Sequence, residues 1–215
     1  MVTDLEKQTE EHCRFCNPPE KERILYYSKS FYVMLSLGPI VEGYLLIISR
    51  NHLDCSAVYD DELGKEFDTL AEEVKKILKK VYGSYILYEH GRDGSSLQFS
   101  EGNEHCFHAH MHCIPTSVKL NQIISREFEP IKLSSYSEFR GVYKTKFAPY
   151  LFVEDDVKNI YFIDKEIKRQ YLRYHLANEL SVPELWDWVT FQGWDKIQSA
   201  KEKLKPQFDS LSKLV

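Results

Sequence analysis

The chain has no surplus of basic residues: 28 Lys and Arg stand against 33 Asp and Glu, a net charge of −5. Surfaces that bind nucleic acid broadly neutralise phosphates with excess Lys and Arg, so no broad nucleic-acid binding is expected; a local basic patch for a small phosphate ligand stays open. Long apolar runs are missing too. The longest aliphatic stretch, Leu45-Leu46-Ile47-Ile48, falls far short of the roughly 20 residues that span a bilayer. The acidic N-terminal segment MVTDLEKQTEEHC has no apolar stretch of the signal-peptide kind. The expectation is a soluble, cytoplasmic protein with no membrane partner. Cysteines are few and odd in number, five, which without a secretion signal does not suggest a disulfide framework. Core material is ample: 43% of residues are hydrophobic, with 14 Tyr and 12 Phe, enough for one well-buried domain and a sizeable extension.

Histidine is concentrated rather than scattered. Residues 105 to 116 read HCFHAHMHCIPT and hold four of the eight histidines. On a β-strand, successive side chains point to opposite faces, so His108, His110 and His112 share one face while Phe107, Ala109, Met111 and Cys113 share the other. Three imidazoles in strict alternation, backed by an apolar face and stopped by Pro115, point to a site rather than a polar outer surface. Metal binding and nucleophilic chemistry both remain open at this stage.

Upstream, Ile24 to Tyr27, Phe31 to Leu37 and Tyr44 to Ile48 are rich in aromatic and β-branched residues, with Gly38-Pro39 turning the chain between the last two. These predict antiparallel strands. The following segment spaces Leu63, Phe67, Leu70, Ala71, Val74, Ile77, Leu78 and Val81 as one apolar helical face. Asp60 or Asp61 can cap its start, lysines fill its end, and Gly83 can terminate it. A strand over Ser84 to Tyr88 precedes the histidine strand. Beyond Pro115 the pattern predicts short strands at Tyr150 to Val153 and Ile160 to Ile163, a helix over Lys165 to Leu180, and a C-terminal portion that docks through Trp186, Trp188 and Trp194 and ends in a helix.

Cys13 and Cys16 have C-x-x-C spacing but lack the strand-helix context of a thioredoxin-like redox pair. They supply half of a tetrahedral zinc site, and histidines must supply the rest. His52, just past a predicted strand, and His108, the first of the histidine row, complete a structural zinc set of Cys13, Cys16, His52 and His108. His12 is the competitor for the place of His52.

The run HAHMHCIP fits the pattern of the histidine triad family, and LSLGPIVEGYLLIISRNH resembles that family's hairpin with its terminal histidine. With the helix between them and the leading C-x-x-C, the resemblance covers residues 13 to 116. Glu89-His90-Gly91 is similar to a zinc-bearing Glu-His-Gly subgroup, and YLRYHLANEL and PELWDW resemble the C-terminal extension that some of its members carry. The resemblance implies an α+β fold, with an antiparallel sheet of about five strands and one long helix. A catalytic core with its zinc segment would occupy residues 1–118, and residues 119–215 would form an extension that wraps an edge or roofs the site. It implies that His110 is the nucleophile forming a covalent nucleotidyl-histidine and that His112 contacts the phosphate. The zinc ligands it implies are the same Cys13, Cys16, His52 and His108. The substrate would be a small-molecule nucleotide conjugate cleaved at its α-phosphate, by hydrolysis or transfer; a homodimer stays open.

There are departures. Tyr44 stands where the family has a further histidine, Ser36 where an acidic residue binds ribose hydroxyls, and Glu104 and His105 where Gln and Ser or Thr precede the triad. His105 and His90 are candidates for the missing phosphate contacts. Cys55, Cys106 and Cys113 read as packing residues. In the extension, Arg169 and Arg173 fall on one helical face with Gln170 beside it, a candidate phosphate-binding patch with bidentate reach. Two rivals follow from the same residues: a mononuclear zinc hydrolase that uses the three triad histidines as ligands, against which the C-x-x-C argues, and a non-catalytic, zinc-stabilised nucleotide-binding module.

Overall fold

The computed structural model describes residues 13–91, 108–146, 148–165, 167–168 and 170–211. Eight strands form one wholly antiparallel sheet: β1 (Ile24–Tyr27), β2 (Phe31–Leu35), β3 (Leu45–Ser49), β4 (Ile86–Gly91), β5 (His110–Ile114), β6 (Ile131–Leu133), β7 (Tyr150–Glu154) and β8 (Ile160–Ile163). Their order across the sheet is β1-β2-β3-β5-β4-β7-β8-β6. The fold is α+β, as the resemblance implies. The sheet is larger than the expected five strands, because β7 pairs along the free edge of β4 from Leu87↔Glu154 to Gly91↔Tyr150 and carries β8 and β6 with it. Residues beyond 118 thus lengthen the sheet itself. Their strands are visible as short apolar pieces in the sequence, but nothing local identifies the edge to which they pair.

The histidine strand β5 lies inside the sheet, between β3 and β4. Its period of two splits the two cores. Met111 and Cys113 join α1 (Asp61–Tyr82), α3 (Tyr136–Lys146) and α5 (Trp194–Leu211) on one face, through residues such as Phe67, Val74, Phe139, Leu204 and Phe208. The opposite face carries Tyr44, Leu46, Tyr88 and Ile114 under α2 (Leu120–Ile124) and α4 (Tyr171–Glu179), with Leu172 and Leu176 packed into it. Each fully buried large apolar side chain of this kind contributes about 1.5–3 kcal/mol.

Helix α1 starts and stops where its sequence specifies. Asp60 accepts the Leu63 N–H at 2.8 Å, and Gly83 closes the helix in the left-handed region at φ 89°. Helix α4 departs from expectation: it opens at Tyr171, not Lys165, because Gln170 before it adopts a left-handed backbone, φ 58°. The tryptophan prediction also changes. Trp188 packs on the β2–β3 turn, where any side chain at Gly38 would strike it, whereas Trp186 and Trp194 are exposed. Helix α5 docks instead through Ile197, Ala200, Leu204 and Phe208. Among the described residues no helix is long and apolar enough to cross a membrane.

Candidate active site and metal centre

The turn that carries Cys13 and Cys16 is closed by Asn17 N–H on the Cys13 carbonyl at 3.0 Å, and Tyr32 pins it to the sheet by donating to the Phe15 carbonyl at 2.6 Å. The cysteines thereby face His52 and His108. Cys13 Sγ lies 3.4 Å from His108 Nδ1, and Cys16 Sγ lies 3.2 Å from His52 Nδ1 and 3.6 Å from His108 Nδ1. All four donor atoms fall within 4.8 Å of one another. Zinc bonds of about 2.3 Å to sulfur and about 2.0–2.1 Å to nitrogen place S and N about 3.5 Å apart along a tetrahedral edge, so the spacing fits that ion. His108 Nε2 donates to the Ser49 carbonyl at 2.7 Å, which fixes the tautomer and leaves the Nδ1 lone pair toward the sulfurs. Burial pushes the His108 imidazole down to about 4, so it is neutral, as a ligand must be. Cys55 and Cys113 are free, buried thiols; Cys13 is disulfide-bonded, and its use as a ligand requires reduction to the thiolate.

Two residues further along the same face, His110 donates from Nδ1 to the His108 carbonyl at 2.6 Å. That bond leaves Nε2 as the lone-pair nitrogen. The Phe15 ring, between the two cysteines in sequence, sits 4.9 Å from the His110 ring and 5.7 Å from that of His108, so the metal-donor turn also walls the nucleophile candidate.

His112 sits deeper. Its Nδ1 is 2.8 Å from the Tyr44 hydroxyl, which is 2.7 Å from the Tyr88 hydroxyl. Tyr88 is the cross-strand partner of His112, and the two rings stack at 4.5 Å and 20°. Burial, reinforced by the charges of His110, Arg173 and His90, holds the His112 imidazole well below its usual range. Burial raises both phenols, so they keep their protons. Sequence reasoning found Tyr44 but missed Tyr88, whose pairing with His112 depends on the β4–β5 register; its only local signal is alternation with His90 on the same face.

The remaining expected site residues divide: Arg173 reaches the Tyr44 ring beside the histidine face, whereas Gln170 lines a separate cavity. Ser36 is buried at the end of β2, its hydroxyl donating to the Leu37 carbonyl at 3.1 Å. Arg173 on α4 is also buried, with its guanidinium 5.4 Å from the Tyr44 ring centroid. Its Nε donates to the Trp186 carbonyl at 3.1 Å, and one Nη donates to the Gly38 and Leu185 carbonyls at 2.8 and 3.1 Å. Backbone carbonyls thus occupy the Nε and one Nη of the guanidinium, and Arg173 ties α4 to the β2–β3 turn. Gln170 lines a cavity of about 520 Å³ with Phe128, Tyr171, Tyr174, His175 and Trp186, none of which belongs to the histidine face. His12, Glu104, His105, Cys106 and Arg169 lie outside the described residues. In the Glu-His-Gly segment, Glu89 is buried and accepts from Ser56 N–H at 2.9 Å, from the Ser56 hydroxyl and from Tyr150 at 2.7 Å. A Cβ at Gly91 would enter the Tyr150 ring. Both residues lock β4 to its neighbours.

A family model described as protein similar to CwfJ C-terminal matches residues 3–129, more than half of the chain. No curated protein matches. Among solved structures, the chain is similar to a hypothetical histidine triad nucleotide-binding protein from Sulfolobus tokodaii strain 7 (23% identity, 62% of this chain and 87% of that chain, TM-score 0.38). It is also similar to a Zn-bound histidine triad family protein from Mycobacterium smegmatis (18% identity, 49% and 76%, TM-score 0.38). A third similarity is to yeast Ap4A phosphorylase Apa2 in complex with AMP (15% identity, 83% and 79%, TM-score 0.44).

Proposed function

The chain belongs to the family of proteins similar to the CwfJ C-terminal, and from that premise we propose that its histidine strand cleaves an α-phosphate linkage of a nucleotide conjugate through a covalent intermediate on His110. The observation that carries this reading is the 2.6 Å bond from His110 Nδ1 to the His108 carbonyl. An imidazole is a nucleophile only through a nitrogen that has no proton, and this bond commits the proton to Nδ1 and the lone pair to Nε2. Nε2 attacks the α-phosphorus; a P–N bond forms, the bond to the leaving group breaks, and the leaving group departs with the electron pair and takes up a proton. Water then attacks the phosphorus, cleaves the P–N bond, releases the nucleoside monophosphate and restores His110. A hydroxyl or phosphate acceptor in the place of water makes the same step a transfer.

Cys13, Cys16, His52 and His108 fit a tetrahedral zinc ion by donor type and spacing. Bound there, zinc would act as a structural cross-link between the N-terminal turn and the histidine strand. This donor group takes only His108 from the triad, which disfavours a catalytic zinc held by all three triad histidines.

Two measurements test the reading. Incubation with dinucleoside polyphosphates, nucleoside phosphoramidates and nucleotide sugars, followed by acid-free quenching and intact-mass analysis, should reveal a nucleotidyl adduct that maps to His110. Turnover should fall on the order of 10⁴-fold in His110→Ala with zinc content unchanged. Wild-type turnover in His110→Ala on the best substrate overturns covalent catalysis. Metal analysis of protein purified in reductant without chelators should give one zinc per chain, lost in Cys16→Ser; zinc retained in Cys16→Ser would refute the assignment.

A further inference from the structure

The three imidazoles of the histidine face differ in what holds them. His108 and His110 are each set by a backbone carbonyl. His112 meets a chain of two phenols, Tyr88 Oη, Tyr44 Oη and His112 Nδ1, at 2.7 and 2.8 Å. Each phenol brings one proton to donate, and three arrangements put a proton into both contacts; one, in which Tyr88 and Nδ1–H both donate to Tyr44, leaves the Tyr44 proton without an acceptor in the chain at a position that is 0% exposed, and two others remain. In the first, Tyr88 donates to Tyr44 and Tyr44 donates to Nδ1, so every proton has an acceptor and His112 carries its own proton on Nε2. In the second, Nδ1–H donates to Tyr44 and Tyr44 donates to Tyr88. The Tyr88 proton then has no acceptor among the described residues, at a position that is 2% exposed.

We propose that the Tyr88–Tyr44 hydroxyl pair is a positioning device that holds His112 as the Nε2–H tautomer. It occupies the place where the resemblance leads one to expect another histidine. Arg173 supports it from the extension. Its guanidinium lies 5.4 Å from the Tyr44 ring, and the positive charge opposes a second proton on His112, which would force the reverse arrangement. Gly38, Leu185 and Trp186 carbonyls fix that charge in place.

The consequence is a division of labour along one strand face. At Nε2, His110 presents a lone pair and His112 presents an N–H, with the two rings 4.8 Å apart. Under the nucleotidyl-transfer reading, on which this consequence rests, the His112 N–H donates a hydrogen bond to a phosphoryl oxygen and stabilises its growing charge, with no proton transferred. Tyr44 and Tyr88 touch no reacting atom; they act through His112.

Two-bond ¹H–¹⁵N correlation spectra of ¹⁵N-histidine-labelled protein test the device, with the His112 signals identified by their loss in His112→Asn. Wild type should show a pyridine-type Nδ1 and a pyrrole-type Nε2. Tyr44→Phe should erase that bias and average the two nitrogens, while Tyr88→Phe, in which Tyr44 can still donate to Nδ1, should retain it. A protonated Nδ1 in wild type overturns the proposal without any variant. Unchanged His112 signals in folded Tyr44→Phe overturn it as well. For the best substrate, Tyr44→Phe should lower kcat by about 10- to 100-fold with KM near wild type. The spectra do not depend on turnover: an inactive protein with the expected tautomer refutes the catalytic reading alone, and an active one with Nδ1–H refutes the positioning device alone.

Discussion

On the face of the sheet covered by α1 and α3, Lys75 and Glu154 meet at 2.8 Å with side chains 3% and 2% exposed, and Tyr136 donates to the same carboxylate. On the opposite face His112 is also deep in the protein, but phenols surround it in place of a counter-ion. The first cluster is an ion network satisfied within the protein, because Lys75 bridges Glu154 and the part-exposed Glu72. The second is a neutral ring whose proton position is specified while one nitrogen is left for other partners. Both avoid an uncompensated buried charge, by pairing in one case and by neutralisation in the other. An ion network satisfied within the protein has little left to offer a ligand. A neutral imidazole with a defined N–H has a donor to use, and that contrast separates architecture from chemistry here more sharply than burial does.

Breaking the charge pair should have the largest effect on stability. Lys75→Ala leaves Glu154 buried without its cation and should cost about 3–5 kcal/mol in urea unfolding, whereas Lys75→Met combined with Glu154→Leu and Tyr136→Phe, which removes the hydroxyl that donates to Glu154, should be near neutral. At temperatures where Lys75→Ala stays folded, its His110 adduct should still form. Loss of the adduct in the folded variant would mean that the two faces are not independent.

Acid should act on the histidine face with a smaller effect. The His108 imidazole falls from its usual 6.5 to about 4 in the folded protein because it is buried, with the charges of His52 and His110 adding to the effect, and His112 is lowered in the same direction. The unfolded chain therefore binds more protons below pH 6.5. The stability these groups contribute is complete above that pH and is lost as pH falls toward 4, on the order of 3 kcal/mol for His108 alone in metal-free protein. Glu89, on the other face, is raised by burial and works with the opposite sign, so its proton uptake favours the folded state as pH falls. Urea midpoints of metal-free protein at pH 7, 5.5 and 4.5 should decline, and more steeply in Glu89→Gln. A flat profile in both proteins would contradict this account of the two faces.

Local rules made several features readable in advance. Alternation placed His108, His110 and His112 on one face, because a strand's side-chain period is fixed by backbone geometry. Asp60 and Gly83 bounded α1, because capping depends on side chains within a few residues of the helix ends. The metal donors could be proposed because C-x-x-C needs histidine partners and few separated histidines were available. Helix α4 was misplaced by six residues at its start, since an amphipathic pattern continues through Gln170 although the backbone there does not.

The sequence by itself determined which side chains share a strand face, where the long helix begins and ends, and which residue types could bind a metal or attack phosphorus. Each depends on spacing along the chain. Only the tertiary structure decided that β7 extends the sheet from β4, that Tyr88 stacks on His112 across the β4–β5 register, and that the Arg173 guanidinium is held by backbone carbonyls 135 residues away at Gly38 and nearby at Leu185 and Trp186. Those outcomes depend on which distant strands pair and in what register. Periodicity selects a face, but the neighbours on that face come from long-range pairing that no local pattern encodes.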